Sequence, residues 1–462
     1  MSKAAAAEDT SLRYMFALAG PMIITTISFT VMQFVDRFMV SRLGTDALAA
    51  ILPAGVASFL PASFAIGVIA AVGTFVSQSL GRGEREKCSS YCWQSIWMGL
   101  VYFGLVIMVM WPLADELFTV LGHEPEVVAL EVVYLRIVLL AQVPAVLIWS
   151  SSQFFIGIHR PMVVMYAALA GQVVNIGANY VLIFGKLGLP VMGIAGAAWG
   201  TFLGIAVGAT IRMGMFLSLG VHRDYGSRSS VAVQWHKMLD LLKVGVPTGL
   251  ELLVNVSLWG MLLLGFVGTF GKEPLASTSA VFSCANVSVM PVIGLRMALT
   301  VAVGKAIGAR RKETAVKQTA VCLKVALFYM GSIGLAFLLF RERIMGFWSS
   351  DSLVIASGAQ ILIFAAIYQV FHAVRIIYSG SLRGAGDTLW VAIMSGLGSV
   401  GILGAGGWAM VEFFPGLGPA GSWSAATASI VAVGLANRWR FKSNRWREID
   451  LFSNPTVVCR GE

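Results

Sequence analysis

Apolar stretches of about 20 residues recur from one end of the chain to the other, separated by short polar segments. Each is long enough to cross roughly 30 Å of hydrocarbon as a helix. The pattern predicts helices at 14–40, 48–80, 91–113, 130–158, 162–184, 191–219, 240–268, 276–306, 317–340, 354–382, 389–412 and 420–437. Twelve crossings return both termini to one side. Composition agrees: with 57% hydrophobic and 12% charged residues among 462, too little polar surface exists to cover soluble domains. The opening MSKAAAAEDT lacks the basic start, short apolar core and small-residue cleavage site of a signal peptide, so the N-terminus is expected in the cytoplasm.

A net charge of +10 raises the question of nucleic acid, but the charges form no stripe interleaved with aromatics. Arg82, Arg85, Lys87, Arg160, Arg223, Arg228, Lys237, Arg310, Arg311, Lys312, Lys317, Arg383 and the tail from Arg438 to Arg447 all fall in segments on the side of the N-terminus. The opposite loops carry Asp115, Glu116, Glu124 and Glu126. This is the positive-inside bias, and it accounts for most of the basic charge with no nucleic-acid partner. Cys88, Cys92, Cys284, Cys322 and Cys459 stand singly in or near apolar segments, which argues against a disulfide ladder or a zinc site.

The chain also resembles itself. The polar stretch from Gly220 to His236 lies near its middle, and LAGPMI from Leu18 answers KVGVPTGL from Lys243. At a shift of 227 residues Gly44, Leu48 and Ala49 fall on Gly271, Leu275 and Ala276, and Gly67, Val76 and Gly81 fall on Gly294, Val303 and Gly308. The fold class is therefore all-α integral membrane, two six-helix repeats around a central cavity, with the repeats related by an axis along the membrane normal. The division is 1–219 for the N-terminal half, 220–239 for a cytoplasmic linker, 240–437 for the C-terminal half and 438–462 for a basic tail.

Pro21 leading to VDRFMVSRLGTDALAA (Val35 to Ala50), Glu251 shortly after Pro247, and GSLRGAGDT (Gly380 to Thr388), in that order across nearly the whole chain, resemble the multidrug and toxic compound extrusion (MATE) family in its NorM-like branch. The resemblance implies antiport, in which a cation enters as amphipathic and often cationic drugs leave. It also implies an N-lobe cation site at the positions of Asp36, Asn175, Asn179 and Thr201, and a C-lobe site at Glu251, Tyr368 and His372. The family's NorM-like members have Asp where this chain has His372, so the negative charge a C-lobe Na⁺ would want is missing.

The residues support their own reading. An ionisable group at a helix centre costs about 2.5–3.5 kcal/mol by insertion scales, so each needs a partner or a task. Asn175 and Asn179 share one helical face, and a carboxylate, two amide carbonyls and a hydroxyl are hard oxygen donors suited to H⁺ or Na⁺ exchange. The alternative is interhelical hydrogen bonding by the Asn pair with Asp36 held by adjacent Arg37. Glu251 and His372 would suit proton exchange, or His372 is a static hydrogen-bonded residue. Arg296 is a possible charge partner for Glu251. Arg212 reads as an interfacial residue that reaches for a headgroup. Pro21 and Pro247 are expected to kink their helices, and GSLRGAGDT is expected to be a cytoplasmic turn with no substrate role.

With no G-x-x-x-x-G-K-[ST] loop, the energy source is expected to be an ion gradient, H⁺ ahead of Na⁺. No cofactor is called for. The expected partners are small organic cations and the bilayer of the inner membrane, with both termini cytoplasmic and the chain working as a monomer. A lipid or lipid-linked sugar flippase is the nearest rival; an intramembrane enzyme would need a convergent catalytic set at one depth, which the split candidates do not offer.

Overall fold

Helices begin and end where local chemistry allows. Ser11 caps the first by accepting from the Tyr14 amide at 3.1 Å, Asp351 caps another by accepting from Leu353 at 2.8 Å, and Pro125, Pro161 and Pro419 open three more. Glycines in the left-handed region end several, among them Gly83 (φ 82°), Gly185 (φ 62°) and Gly386 (φ 93°).

The computed structural model describes residues 10–452, and among them the regular structure is helical throughout. In chain order the helices are α1 (Leu12–Ser41), α2 (Thr45–Arg82), α3 (Arg85–Met110), α4 (Ala114–Val120), α5 (Pro125–Gly157), α6 (Pro161–Phe184), α7 (Gly193–Phe216) and α8 (Leu219–Tyr225). They continue as α9 (Trp235–Met261), α10 (Lys272–Gly308), α11 (Lys312–Leu339), α12 (Arg341–Trp348), α13 (Ser352–Ala385), α14 (Thr388–Phe413) and α15 (Pro419–Lys442). Twelve are long, and eleven of these are apolar and long enough to cross a membrane. The twelfth, α15, is less apolar and buries Trp423, Ile430 and Val433 against its neighbours. The short helices α4, α8 and α12 were not foreseen. Cys88, Cys92 and Cys322 are buried free thiols, and Cys284 is partly covered and free; Cys459 and the rest of the tail beyond 452 lie outside the described residues.

Five successive helices of the first half, beginning at Thr45, Arg85, Ala114, Pro125 and Pro161, have counterparts beginning 227 residues later at Lys272, Lys312, Arg341, Ser352 and Thr388. Backbone detail repeats too: Gly44 (φ 121°) matches Gly271 (φ 108°), and His159 (φ 61°) matches Gly386 (φ 93°). One difference is local. Wide π-helical turns interrupt the second half after Met261 (Leu262–Val267) and within α14 (Gly398–Ala405), whereas α1 and α6 are regular.

The halves touch toward the end rich in arginine and lysine. There α2 meets α9 so closely that a Cβ on Gly67 would lie 2.5 Å from the Gly249 Cα. The Thr74 hydroxyl donates to the Arg383 carbonyl at 3.0 Å, Gln78 Nε2 to the Gly384 carbonyl at 2.9 Å, and Thr26 to the Met290 carbonyl at 3.3 Å. Met15, Leu18 and Ala19 join the second half's core as well, so the contacts use 15–26 of α1 and 64–81 of α2. Beyond them Leu48, Leu52, Val56 and Phe59 of α2 stay exposed, so the cleft between the halves opens toward the opposite, acidic end.

Pro21 and Pro247 sit inside continuous helices, where each deletes one ladder hydrogen bond. The Thr25 hydroxyl occupies the Pro21 carbonyl at 2.7 Å. The linker is not loose: Trp93 and Trp97 donate from their indoles to the Ser227 and Val231 carbonyls at 2.7 and 3.0 Å, binding it along α3. The segment from Ser443 to Phe452 is likewise packed down. Trp446 is buried and stacks on Phe441 of the second half at 5.0 Å, while Phe452 packs edge-on to Phe75 of the first at 5.9 Å.

Candidate functional site

Two polar clusters stand in otherwise apolar helix bundles. In the first half, α6 and α7 approach closely because α7 offers glycine where α6 offers asparagine. A Cβ on Gly204 would lie 2.6 Å from that of Asn175, and one on Gly200 would collide with the Asn179 side-chain oxygen. This fixes both amides. Asn179 Nδ2 donates to Asp36 Oδ1 at 2.7 Å, and Asn175 Nδ2 to Thr201 Oγ1 at 3.5 Å. The Thr201 hydroxyl itself donates to the Ala197 carbonyl at 3.0 Å.

Asn175 and Asn179 are buried, and both their side-chain oxygens lack a hydrogen-bond partner. A buried amide oxygen without a donor is costly, so it marks a place for a cation or a water. Asp36 makes no ion pair among the described residues. Arg37 points to an exposed position instead, which removes the neutralising partner considered for the carboxylate. The four residues singled out in this half are thus adjacent, with one carboxylate, two free carbonyl oxygens and a hydroxyl.

The second half corrects several expectations. Glu251 of α9 is held by Arg383, whose Nη2 lies 2.5 Å from Glu251 Oε2. The segment from Gly380 to Ala385 is not a turn; α13 continues through it and carries Arg383 into the bundle, and the chain turns only at Gly386 and Asp387. Arg296 therefore does not neutralise Glu251 by direct pairing. It packs along Gly380, where an added Cβ would lie 2.7 Å from Arg296 Cγ.

Tyr368 and His372 do meet, ring centroids 4.7 Å apart, but Glu251 pairs with Arg383 and makes no hydrogen bond or ion pair with His372 among the described residues. Glu251 and His372 accordingly form no carboxylate–imidazole pair, and His372 Nδ1 is buried without a partner. Arg212 is not an interfacial side chain either. It is 3% exposed and spans α7 to α6 by donating to the Gly208 and Val164 carbonyls at 3.2 and 3.0 Å. Pairing with α6 wins over reaching a headgroup because two backbone carbonyls lie within its length.

Sequence reasoning missed Asn255, one turn beyond Glu251, which gathers the second cluster. Its Oδ1 accepts from Arg375 Nη2 at 3.4 Å and from Ser399 Oγ at 3.3 Å. Its i, i+4 spacing from Glu251 was the available signal. No cluster of three or more His, Cys, Asp or Glu able to hold a metal ion occurs among the described residues.

The chain is similar in sequence and fold to known proteins. The family model described as MatE matches residues 21–181 and 247–405. The chain is 31% identical to the probable multidrug resistance protein NorM of Chromobacterium violaceum, over 92% of each chain. It is 27% identical to the multidrug resistance protein PmpM of Pseudomonas aeruginosa, covering 92% of this chain and 90% of that one. Among solved structures, a MOP superfamily transporter from Pyrococcus furiosus superposes with a TM-score of 0.84 at 20% identity, covering 94% of this chain and 96% of that one. An outward-facing multidrug resistance MATE family transporter gives 0.84 at 20% identity, covering 93% and 96%. At that identity the structural likeness establishes the fold.

Proposed function

The chain belongs to the MatE family, and from that premise we propose that it exports amphipathic organic cations by alternating access, driven by inward movement of a cation that binds at Asp36. It is a multi-pass transporter rather than an enzyme, in keeping with its relatives. The observation that carries the coupling assignment is that Asp36 is held by a neutral donor, Asn179, with no cationic partner, beside two unpaired amide oxygens. A carboxylate so placed gains from a proton or from Na⁺, whereas Glu251 already has Arg383 and gains less.

We assign the coupling ion as H⁺. Only one formal negative charge is present, and its hydrogen-bond partner can present its oxygen to a protonated carboxyl by turning the amide. Tyr368 and His372 are then left to position cargo rather than ion. The basic end faces the cytoplasm of the inner membrane by the positive-inside bias.

The test is ethidium efflux from proteoliposomes with a pH gradient or a Na⁺ gradient imposed separately, for wild type and Asp36→Asn. Efflux driven by the pH gradient and lost in Asp36→Asn is expected. Efflux that follows Na⁺ alone overturns the ion assignment, and no gradient-driven movement at all overturns drug export in favour of lipid translocation.

A further inference from the structure

Where the halves close at the basic end, their seam is not flush with the bilayer. Between α2, α3 and α9 lies a cavity of about 510 Å³. Its floor is the crossing of α2 with α9, where the Phe64 and Val68 carbonyls face Gly249 and Gly245. One wall is α3 of the first half, from Ser95 through Tyr102 to Leu105, and the other is α9 of the second, with Met238, Leu241 and Leu242. Trp235, where the linker enters α9, stands at the basic end. Met238 and Leu241 are buried, whereas Val101, Leu105 and Trp235 form an exposed rim, so the cavity opens sideways.

The lining and the length say what fits. None of the lining residues is charged, so neither an organic cation nor an anion finds a counter-charge there. The polar groups on the α3 wall are already used: the Ser95 hydroxyl donates to the Cys92 carbonyl at 2.8 Å, the Tyr102 hydroxyl to the Pro61 carbonyl at 3.1 Å, and the Trp97 indole to the linker. The medium outside is hydrocarbon, because all three helices are apolar and long enough to span a membrane. From Ser95 to Leu105 α3 rises about 15 Å at 1.5 Å per residue, and half of a hydrocarbon core of roughly 30 Å is one leaflet. The lining is also particular to this seam. At the shift of 227, Trp97 and Leu105 correspond to Lys324 and Ser332, which are not residues for an apolar groove.

We propose that this groove binds one acyl chain of a phospholipid from the leaflet at the basic end, held by hydrocarbon contact along its length and not by its headgroup. Inside a bilayer the gain is packing: a gap along two helices forfeits dispersion contacts on both walls, and a chain restores them. One wall belongs to each half. A chain in the groove therefore bridges the halves and belongs to the state closed at the basic end, since parting α2 from α9 splits the site.

The experiment uses proteoliposomes of the full chain containing phosphatidylcholine, or phosphatidylglycerol, with a diazirine in the middle of one palmitoyl chain; after illumination the labelled residues are mapped by mass spectrometry. Label is expected on Met238 and Leu241, which are buried from lipid at the general surface, with equal yield from the two headgroups. Leu242→Trp combined with Val101→Trp fills the groove from both walls and should lower that label at least tenfold. Leu239→Trp, exposed on the same helix but outside the groove, should leave it unchanged. Gly67→Ala, which forces α2 and α9 apart, should lose most of it. Label confined to exposed residues such as Leu239 and Phe328, or undiminished in the double variant, overturns the proposal. Should the double variant not fold, as read by its melting temperature, the wild-type contrast between buried and exposed residues decides. A tenfold preference for phosphatidylglycerol overturns binding by the chain, and loss of label in excess ethidium assigns the groove to cargo and overturns the lipid occupant. Undiminished label in Gly67→Ala overturns the tie to the closed state.

Discussion

Gly67→Ala adds one carbon where α2 and α9 cross, and the structure sets what it costs. The new Cβ would lie 2.5 Å from Gly249 Cα, 2.6 Å from Gly249 N and 2.7 Å from the Thr248 carbonyl. These are backbone atoms, so no side chain can swing aside. Comfortable contact begins near 3.5 Å, which requires the helices to part by about 1 Å. Relaxation is opposed on both sides: Gly245 would meet the Val68 carbonyl at 2.6 Å and Gly249 the Phe64 carbonyl at 2.7 Å if either carried a Cβ. Overpacking of this kind costs about 1–3 kcal/mol. The crossing belongs to the state in which the halves are closed at the basic end, so the cost falls on that state, and its population relative to the opposite one should drop by roughly 5- to 150-fold. Electron–electron distance measurements between spin labels at Leu52→Cys and Ser279→Cys, equivalent exposed positions on α2 and α10, read the change in a background with Cys284 and Cys459 replaced by serine. The long-distance population should shrink in Gly67→Ala. Gly55→Ala, where nothing lies within 4 Å of the added carbon, should leave the distribution unchanged. Superimposable distributions for wild type and Gly67→Ala would refute the idea that this crossing is remade during transport.

Glu251→Gln leaves Arg383 without its carboxylate and should lower stability by about 3–5 kcal/mol, whereas Glu251→Gln with Arg383→Gln should recover most of it; thermal unfolding in detergent compares them, and equal losses would deny the pair. Asn179→Ala removes the donor that holds Asp36, a charge-assisted bond worth about 1.5–3 kcal/mol, and should lower gradient-driven efflux tenfold or more at unchanged expression; undiminished efflux would detach Asn179 from coupling. Trp446→Ala empties a side chain that is 1% exposed and should cost about 3–5 kcal/mol; an unchanged melting temperature would show the tail contributes nothing to the fold.

Much of the fold was legible because the membrane enforces it. A span must be apolar and helical for about 20 residues, so hydropathy placed all twelve long helices, and the shift of 227 read from a few glycines recurs in the helix starts. Short amphipathic helices such as Ala114–Val120 and Arg341–Trp348 were not visible, since seven or eight residues carry too little periodicity. The first cluster was legible because Asn175 and Asn179 lie one turn apart and point the same way. The second was not, because its decisive pairing joins residues 132 apart and depends on α13 running through Gly380 and Gly384. A stretch with three glycines in seven residues, Gly380, Gly384 and Gly386, reads as a turn in water. In a tight bundle two of them are contact points: Gly380 admits Arg296, and Gly384 meets the Thr300 carbonyl.

The two halves show how duplication separates architecture from chemistry. Gly83 and Arg310 occupy equivalent positions and both adopt left-handed backbone, with φ of 82° and 58°. The arginine accepts a conformation that suits glycine because the repeat's geometry demands it. Side chains facing the bundle interiors are under no such demand. Asn175 and Asn179 have Ile402 and Gly406 as counterparts, while Arg296, Arg375 and Arg383 have isoleucines. Neither cluster is a degraded copy of the other. The segment from Ser443 to Phe452 touches both halves, through Trp446 in the second half and Phe452 and Asp450 in the first, where Asp450 meets Arg82 at 2.5 Å. Any opening of the basic end must therefore also release or stretch that strap, which joins the movement of one half to that of the other outside the membrane.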